Sequence, residues 1–199
     1  MLSGPGPERG ASGAPGPAVA ILWAEARIRR VLLDYVRGID RLDLDLVRSC
    51  YHPDATDSHG SFSGPVDEFC VWVERVLRRY HSTMHLLGPP AVDVTTTDAD
   101  GAPTVAAVET YGLAVHRTPG GPPEHNLVTG FRFVDRFECR DGEWRIAQRV
   151  AVTEWSQVVT EATWWPLAPG LLTGARDRTD PVYRDAPTDR GGEPAQSKP

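Results

Sequence analysis

Apolar residues recur every three or four positions in two stretches of the chain, and this is the period of an amphipathic helix. The first stretch covers about 18–37, and its apolar stripe consists of Ile21, Ile28, Leu32, Tyr35 and Ile39. The second covers 65–80, and its stripe consists of Val66, Phe69, Val73, Val76 and Tyr80. Between them a shorter helix is predicted, capped by Asp43 or Asp45. The pattern therefore predicts a helical N-terminal part.

After residue 80 the period changes to two, which is typical of strands with one buried face. Thr83, His85 and Leu87 share one face of the first of these strands, and an earlier short strand at 55–62 carries His59. Longer strands, separated by turn residues, are predicted at 91–96, 104–117, 127–139 and 143–155. Helices followed by antiparallel strands predict an α+β fold.

The two ends of the chain differ from its middle. Residues 1–17 and 174–199 are rich in Gly and Pro and have no hydrophobic period, so we expect a disordered leader and tail around one domain at 18–173. A hydrophobic content of 40% is ordinary for a globular chain with a sizeable core. The net charge of −6 disfavours a surface for nucleic acid or for an anionic membrane.

The three cysteines, Cys50, Cys70 and Cys139, stand alone along the chain. An odd number without CxxC spacing favours reduced thiols over a disulfide framework. The apolar run 18–24 is too short to span a bilayer, and nothing before it resembles the basic segment of a signal peptide. We therefore expect a cytoplasmic protein without a membrane partner.

Common motifs for cofactors and hydrolysis are missing from the sequence. It has no Gly-rich phosphate loop between a strand and a helix, no GxSxG and no HExxH. His81 and His85 have the spacing of helical metal ligands, but they straddle a change from helix to strand and lack a clustered third ligand. We expect neither a metal nor a cofactor.

The end of the first helix and one strand carry the most informative motif. The run Tyr35-Val-Arg-Gly-Ile-Asp40 is followed about 45 residues later by Thr83-Met-His85. Further pieces in the same order are Tyr51-His-Pro-Asp-Ala55, His59-Gly-Ser-Phe62, Glu109-Thr-Tyr111 and 135–144. Their order and spacing over 20–155 resembles the SnoaL-like branch of the NTF2-like superfamily, with scytalone dehydratase, bile-acid 7α-dehydratase and hexachlorocyclohexane dehydrochlorinase closest in pattern. The resemblance implies a cone, in which a curved, mostly antiparallel sheet wraps around the N-terminal helices and leaves a pocket at its open end.

Asp40 and His85 are the candidate catalytic pair. Gly38 is suited to a helix C-terminus, so Asp40 is expected just past a buried helix end, where a carboxylate is costly without a partner. The residues alone favour a helix cap or a surface partner of Arg41 for Asp40, and an ordinary strand histidine for His85. The resemblance implies instead an acid/base dyad, in which Asp40 fixes the tautomer of His85. His85 then takes a proton from carbon next to an activating group.

Further side chains are candidates for contact with a substrate. The resemblance implies that Tyr35 assists a leaving hydroxyl, although a core aromatic fits the same position. Tyr51 has the same two interpretations, and His59 is interpreted as a donor at the rim or inside the pocket. The aromatic residues expected to wall or cover the pocket are Phe133, Trp155, Trp164 and Trp165.

Two predicted strands carry residues with open assignments. Glu109 and Tyr111 share one face; an inward face makes Glu109 functional or paired, and an outward face makes it a solvated charge. Arg149 alternates onto a mixed polar and apolar face with Trp155, and its position resembles a dehydrochlorinase arginine that faces the leaving group and stabilises negative charge. The competing interpretation is an exposed cross-strand partner of an acidic residue. The histidines interpreted as surface or loop residues are His52, His81, His116 and His125.

Together these features predict a cofactor-independent lyase or isomerase that is dehydratase-like and acts on a small apolar substrate, with cyclic compounds among the candidates. The first alternative is a non-catalytic ligand-binding or assembly module, because the small subunit of aromatic-ring dioxygenases resembles this fold. The second is a polyketide cyclase. We expect a homodimer or another homo-oligomer, because sheets of this kind often pair through their outer faces.

Overall fold

The computed structural model describes residues 16–121, 125–160, 162 and 164–183. Its helices are α1 (Pro17–Arg41), α2 (Leu44–Ser49) and α3 (Val66–Leu77). Its strands are β1 (Tyr51–His59), β2 (Phe62–Pro65), β3 (Ser82–Leu87), β4 (Ala91–Thr97), β5 (Pro103–Arg117), β6 (Leu127–Arg140) and β7 (Glu143–Val158), and a 3₁₀ turn follows at Pro181–Tyr183. The strand predicted at 55–62 is part of a hairpin, because β1 and β2 reverse direction at Gly60, which has a φ of 60°.

Helix α1 continues through the motif that the sequence places at its end. It runs to Arg41, and Leu42 ends it in the left-handed region with a φ of 55°. Gly38 lies inside the helix and makes room for α2, because a Cβ there would lie 2.7 Å from the side chain of Val47. Asp40 therefore belongs to the last helical turn. Although α1 has 25 residues, neither it nor another helix in the described part is long and apolar enough to cross a membrane.

The strands form one seven-stranded sheet in the order β2-β1-β7-β6-β5-β3, and β4 also pairs with β5. β1 and β7 run parallel, while the other pairs are antiparallel. β3 and β4 share one side of β5, with Leu87 opposite Gly112 and Ala91 opposite Glu109. The sheet is curved and unclosed around the N-terminal helices, which confirms the predicted α+β cone.

The core lies between α1, α3 and the inner face of the sheet. The buried residues of α1 begin at Ala24, so Ile21 is exposed although the helical period assigns it to the buried stripe. Along the middle of β5 the buried positions are Ala106, Val108, Thr110 and Ala114. Alternate residues of β5 therefore face the helices, and the residues between them face outwards.

An extra residue in β7 changes the direction of the side chains that follow it. Thr153 pairs with Phe131, and Trp155 pairs with Gly130, so Glu154 has no counterpart in the ladder. Alternation resumes one residue out of step after such a bulge. Thr153 thus faces inwards, while Trp155 covers Gly130 on the outer face, where a Cβ on Gly130 would lie 2.4 Å from the indole.

Residues 174–183 pack against the ends of α1 and α3, whereas the sequence indicates a disordered tail from 174. The guanidinium of Arg176 donates to three backbone carbonyls at 3.3, 2.8 and 2.8 Å, those of Asp40, Leu77 and Tyr80. Asp180 pairs with Arg41 at 3.0 Å. Charge pairs and carbonyl acceptors hold this segment, and a hydrophobic period does not detect such contacts. Residues 184–199 of the predicted tail and 1–15 of the predicted leader lie outside the described residues.

Candidate active site

Asp40 and His85 are in direct contact. The Nδ1 atom of His85 lies 2.7 Å from Oδ1 of Asp40, and the backbone N–H of His85 donates to Oδ2 at 2.9 Å. The hydroxyl of Thr83 donates to Oδ1 at 2.9 Å. A carboxylate accepts hydrogen bonds, so Nδ1 of His85 is the donor to Asp40, and Nε2 is the ring nitrogen that Asp40 leaves free.

The backbone explains how residues 45 positions apart come together. Asp40 lies in the last turn of α1 and is 8% exposed. β3 pairs with β5 so that His85 lies opposite Ala114, and Thr83 and His85 therefore face the helices. A buried carboxylate without donors is costly, and three donors meet this one. The pair is thus held in place by the fold itself.

The pair opens into a cavity of about 200 Å³ between α1, α3 and the inner face of the sheet. Its polar lining groups are Tyr35, His59, His85, His116, Thr129 and Thr153. The remaining lining is apolar and aromatic, which is usual for a small-molecule site. A larger groove of about 870 Å³ lies on the outer face, but it contains none of these polar groups. We therefore place the site in the smaller cavity.

Three aromatic side chains that the sequence predicts for the site lie at different depths. Tyr35 lines the cavity, and its ring meets that of Phe133 edge to face at 5.6 Å between centroids. Phe133 lines the cavity as well. Tyr51 lies beneath them, outside the lining, and its hydroxyl donates to Asp57 at 2.6 Å. Burial raises the pKa of Tyr35 although Arg149 opposes this, so its phenol is neutral and can donate a hydrogen bond.

Arg149 is fully buried directly below the cavity. Its Nε and Nη2 donate to the two carboxylate oxygens of Asp135 at 2.7 and 2.6 Å. Its Cζ lies 3.8 Å from the ring centroid of Phe133 and 4.2 Å from that of Tyr35. Burial disfavours its charge, but the ion pair outweighs burial and holds the pKa of Arg149 above its ordinary range. Arg149 is therefore a cross-strand ion-pair partner, but a buried and not an exposed one.

The sequence contains a signal that Asp135 is buried, although Asp135 is not among the residues predicted for the site. It continues the alternation Phe131, Phe133, Asp135 and Phe137 along β6, and all four are buried. A carboxylate within an apolar alternating series indicates a buried partner on a neighbouring strand. The register of β6 and β7 supplies that partner, because Asp135 lies opposite Arg149.

The structure does not bring Glu109, Tyr111 and Trp155 to the cavity. Glu109 is an outer-face residue that pairs with Arg132 at 2.6 Å. Tyr111 is 60% exposed on the same face, and Trp155 is turned there by the bulge in β7. The parity of β5 and the bulge place these three side chains across the sheet from the dyad. Trp164 and Trp165 do not line the cavity either, since Trp164 lies on the guanidinium of Arg117.

Two histidines interpreted as surface or loop residues are located elsewhere. His116 lines the cavity, and its ring centroid lies 5.6 Å from that of His85. Burial, followed by the nearby His85, lowers the pKa of His116 to about 4, so it is neutral near pH 7. His52 is buried, and its Nε2 lies 3.0 Å from the carbonyl oxygen of Glu138. The alternation of Ala114 and His116 on β5 is the signal that places His116 inwards.

The cavity lining does not resemble a metal centre. Among the described residues no group of three or more His, Cys, Asp or Glu side chains is arranged to hold a metal ion. The three cysteines are free thiols. Cys50 donates to the carbonyl of Leu46 at 3.2 Å, and burial raises the pKa of its thiol to about 12.

Solved structures with this architecture include three informative examples. A scytalone dehydratase candidate from Novosphingobium aromaticivorans is 19% identical, with a TM-score of 0.63 over 72% of this chain and 92% of that one. The hexachlorocyclohexane dehydrochlorinase LinA type 3 from Novosphingobium barchaimii is 16% identical, with a TM-score of 0.64 over 75% and 99%. An aromatic ring hydroxylase candidate from N. aromaticivorans is 13% identical, with a TM-score of 0.53 over 67% and 91%. These similarities concern the fold.

The sequence comparisons concern the family. No curated protein matches this chain. The family model described as the SnoaL-like domain matches residues 20–150, which is more than half of the chain and includes both Asp40 and His85. Together with the cone-shaped sheet and the helices inside it, this match confirms that the chain belongs to the SnoaL-like domain family.

Proposed function

We propose that this chain is a cofactor-independent lyase or isomerase that acts on a small apolar substrate in the cavity. The observation that carries the proposal is the hydrogen bond of 2.7 Å between Nδ1 of His85 and Asp40, at the wall of an apolar cavity. A general base needs a fixed tautomer and a free nitrogen, and the hydrogen bond from Nδ1 to Asp40 supports this assignment of His85.

In the proposed reaction, Nε2 of His85 takes a proton from a carbon next to an activating group. Asp40 keeps the proton on Nδ1 and stabilises the imidazolium that forms. The neutral phenol of Tyr35 donates a hydrogen bond to the carbonyl oxygen or the leaving oxygen. The apolar lining excludes water, which strengthens these interactions.

The buried pair of Arg149 and Asp135 has a supporting part in the proposal. Arg149 lies below the rings of Tyr35 and Phe133, and Asp135 occupies two of its donor atoms. Its charge therefore acts through those rings on the cavity above. This part differs from the one that the resemblance implies, which is direct contact with the leaving group.

Turnover by Asp40→Asn and His85→Gln tests the proposal. Scytalone and hexachlorocyclohexane, which two of the structural neighbours are named for, serve as probes for loss of water and loss of chloride. General-base catalysis contributes about 10²–10⁴-fold, so both variants are expected to lose turnover by that factor. Asp93→Asn and His81→Gln are matched controls, because both residues are exposed outside the cavity. Unchanged turnover in both dyad variants contradicts the proposal.

The second candidate is the non-catalytic ligand-binding or assembly module that the resemblance to the ring-dioxygenase small subunit implies. It predicts that a larger partner co-purifies with the chain and that wild-type protein leaves both probes unchanged. A polyketide cyclase, the other alternative, would use the same pocket on a different substrate. A stable partner without turnover would favour the module over the lyase.

A further inference from the structure

A second buried carboxylate lies beside the same cavity. Asp57 of β1 is 0% exposed, and its Oδ2 accepts a hydrogen bond of 2.6 Å from the hydroxyl of Tyr51. Its Oδ1 has no hydrogen-bond partner among the described residues and lies 3.6 Å from Nδ1 of His59, which has none either. A shift of less than about 1 Å brings these two atoms to hydrogen-bonding distance.

Among the groups around Asp57, His59 is the candidate partner for its carboxylate. Burial raises the pKa of Tyr51 well above its ordinary range, so Tyr51 is a neutral donor. The nearby cation Arg149 is bound by both oxygens of Asp135. Within the part of the chain that the structure describes, His59 is the one basic side chain at ion-pair distance from Asp57. A buried carboxylate oxygen without a donor is costly, and Nδ1 of His59 is the nitrogen in position to donate to Oδ1 of Asp57.

The ring of His59 presents its other edge to the cavity. Its Nδ1 is buried, but 31% of the side chain is exposed and the residue lines the cavity. The ring stacks on Phe69 of α3 at 5.7 Å between centroids, which fixes its plane. Because Nδ1 faces Asp57, the accessible nitrogen is Nε2.

His59 and His85 reach the cavity from opposite parts of the sheet. β1 and β3 are far apart in the strand order, and the curvature of the sheet brings both to one cavity. The ring centroid of His59 lies 6.1 Å from that of Phe133, and the ring centroid of His85 lies 6.1 Å from that of Phe131. The two phenylalanine rings are 4.7 Å apart and form the surface between the histidines.

We propose that Asp57 and His59 form a second carboxylate–imidazole pair, and that His59 is the general acid that protonates a departing hydroxyl group. This inference rests on the proposed function, because it assigns the second half of the same elimination. Asp57 is a positioning residue in this scheme, and His59 is the catalytic one.

The step balances with two imidazoles. Nε2 of neutral His85 accepts the proton from carbon, and the C–H electron pair forms the new C=C bond. The C–O bond breaks, and its electron pair takes the proton from Nε2 of the His59 imidazolium, so water leaves. His85 is then protonated and His59 is neutral; proton exchange with solvent restores both. No oxidant, reductant or metal takes part.

His59 is surrounded by titratable groups from several elements. β1 supplies Asp57, β6 supplies Asp135, and β5 supplies His116. Arg149 of β7 is paired with Asp135. The pKa of His116 is lowered to about 4, chiefly by burial, so this histidine is neutral near pH 7. Neither Arg149 nor His116 therefore competes with His59 for Asp57. Helix α3 contributes the rings of Phe69 and Trp72, which carry no charge.

The leaving group separates this inference from the proposed function. A hydroxyl group needs a proton to leave, whereas chloride does not. His59→Gln is therefore expected to lower the dehydration of scytalone by about 10²–10⁴-fold and to change the release of chloride from hexachlorocyclohexane by less than about 10-fold. Asp40→Asn is expected to lower both rates. If His59→Gln lowers both reactions equally, or does not lower dehydration, the role of His59 as general acid is overturned. The variants of Asp40 and His85 test the general base independently.

The nitrogen resonances of His59 test the pair without any substrate. Two-dimensional NMR of the ¹⁵N-labelled full chain is expected to show protons on both ring nitrogens of His59 in the wild type, as a general acid requires, and a changed Nδ1–H signal in Asp57→Asn. A bare Nδ1 or a bare Nε2 in the wild type overturns the proposal. His81→Gln is the assignment control, and a circular dichroism spectrum of Asp57→Asn that matches the wild type shows that the variant is folded. If it is not, the tautomer in the wild type alone decides.

Discussion

The two faces of the sheet carry ion pairs of similar composition in opposite surroundings. On the inner face, Asp135 and Arg149 have fully buried side chains and form two parallel hydrogen bonds. On the outer face, Arg132 contacts Glu109 and Glu154, and both carboxylates are about 40% exposed. The first pair is part of the core, and the second is a cross-strand contact in water.

The difference shows that surroundings decide what a charge pair contributes. Exposed pairs are screened and lose side-chain entropy, so they add little to stability. A buried pair has already lost its hydration, and removing one partner leaves the other charge without compensation. The inner face can therefore hold charges in fixed positions around a cavity, whereas the outer face can lose them at small cost.

The largest expected effect is the loss of the buried pair. Arg149→Met leaves Asp135 buried and unpaired and is expected to lower the free energy of unfolding by about 3–5 kcal/mol in urea titrations. Arg132→Met is the matched control on the outer face and is expected to change it far less. Adding Asp135→Leu to Arg149→Met should restore most of the loss, because apolar replacement of a buried pair is often nearly neutral. Equal effects of Arg149→Met and Arg132→Met would remove the distinction between the faces.

A smaller effect is expected from pH. The pKa of His116 is lowered to about 4, chiefly by burial, and an unfolded histidine titrates near about 6.5. Between these values the unfolded chain binds a proton that the folded chain does not, so stability is lost as the pH falls from about 6.5 towards 4. The free energy of unfolding is expected to fall by about 3 kcal/mol in total as the pH passes through this range. Urea titrations across this pH range should show a weaker pH dependence for His116→Gln, and parallel curves would contradict the assignment.

The outer face of the sheet is the surface through which we predict that the chain forms a homodimer. Its exposed apolar side chains include Met84, Leu86, Tyr111, Leu113, Val134 and Trp155. A charge introduced into a pairing surface of this kind, as in Leu86→Glu, is expected to raise the dimer dissociation constant about 10- to 100-fold, which is about 1.4–2.8 kcal/mol. Sedimentation equilibrium measures this, with Val71→Glu on α3 as an exposed control. A wild-type chain that is monomeric at all concentrations contradicts the prediction.

Several residues of the site were predicted before the structure was known. The contact between Asp40 and His85 was implied by the resemblance to the family, and the structure has it at 2.7 Å. The catalytic role of the pair stays a proposal. Tyr35, His59 and Phe133 were assigned to the pocket and lie in the cavity lining. Their positions follow from the period of α1 and from the alternation along β1 and β6.

Three candidate pocket residues lie outside the cavity for two reasons. Glu109 and Tyr111 have the alternation of a pocket strand, but the pairing of β5 with β3 and β6 turns their parity outwards. Trp155 follows the parity of Arg149 in the sequence, and the extra residue Glu154 reverses it. Neither the choice of face nor the bulge leaves a local signal in the chain.

The sequence by itself determined the three helices and the change to strands, because periodicity and capping residues are local properties. Only the tertiary structure decided which face of each strand encloses the cavity, because that depends on how the sheet pairs and where the helices dock. It also decided that Asp57 and Asp135 are buried next to His59 and Arg149. Burial and charge pairing arise between distant segments, so their energies exist only in the folded arrangement.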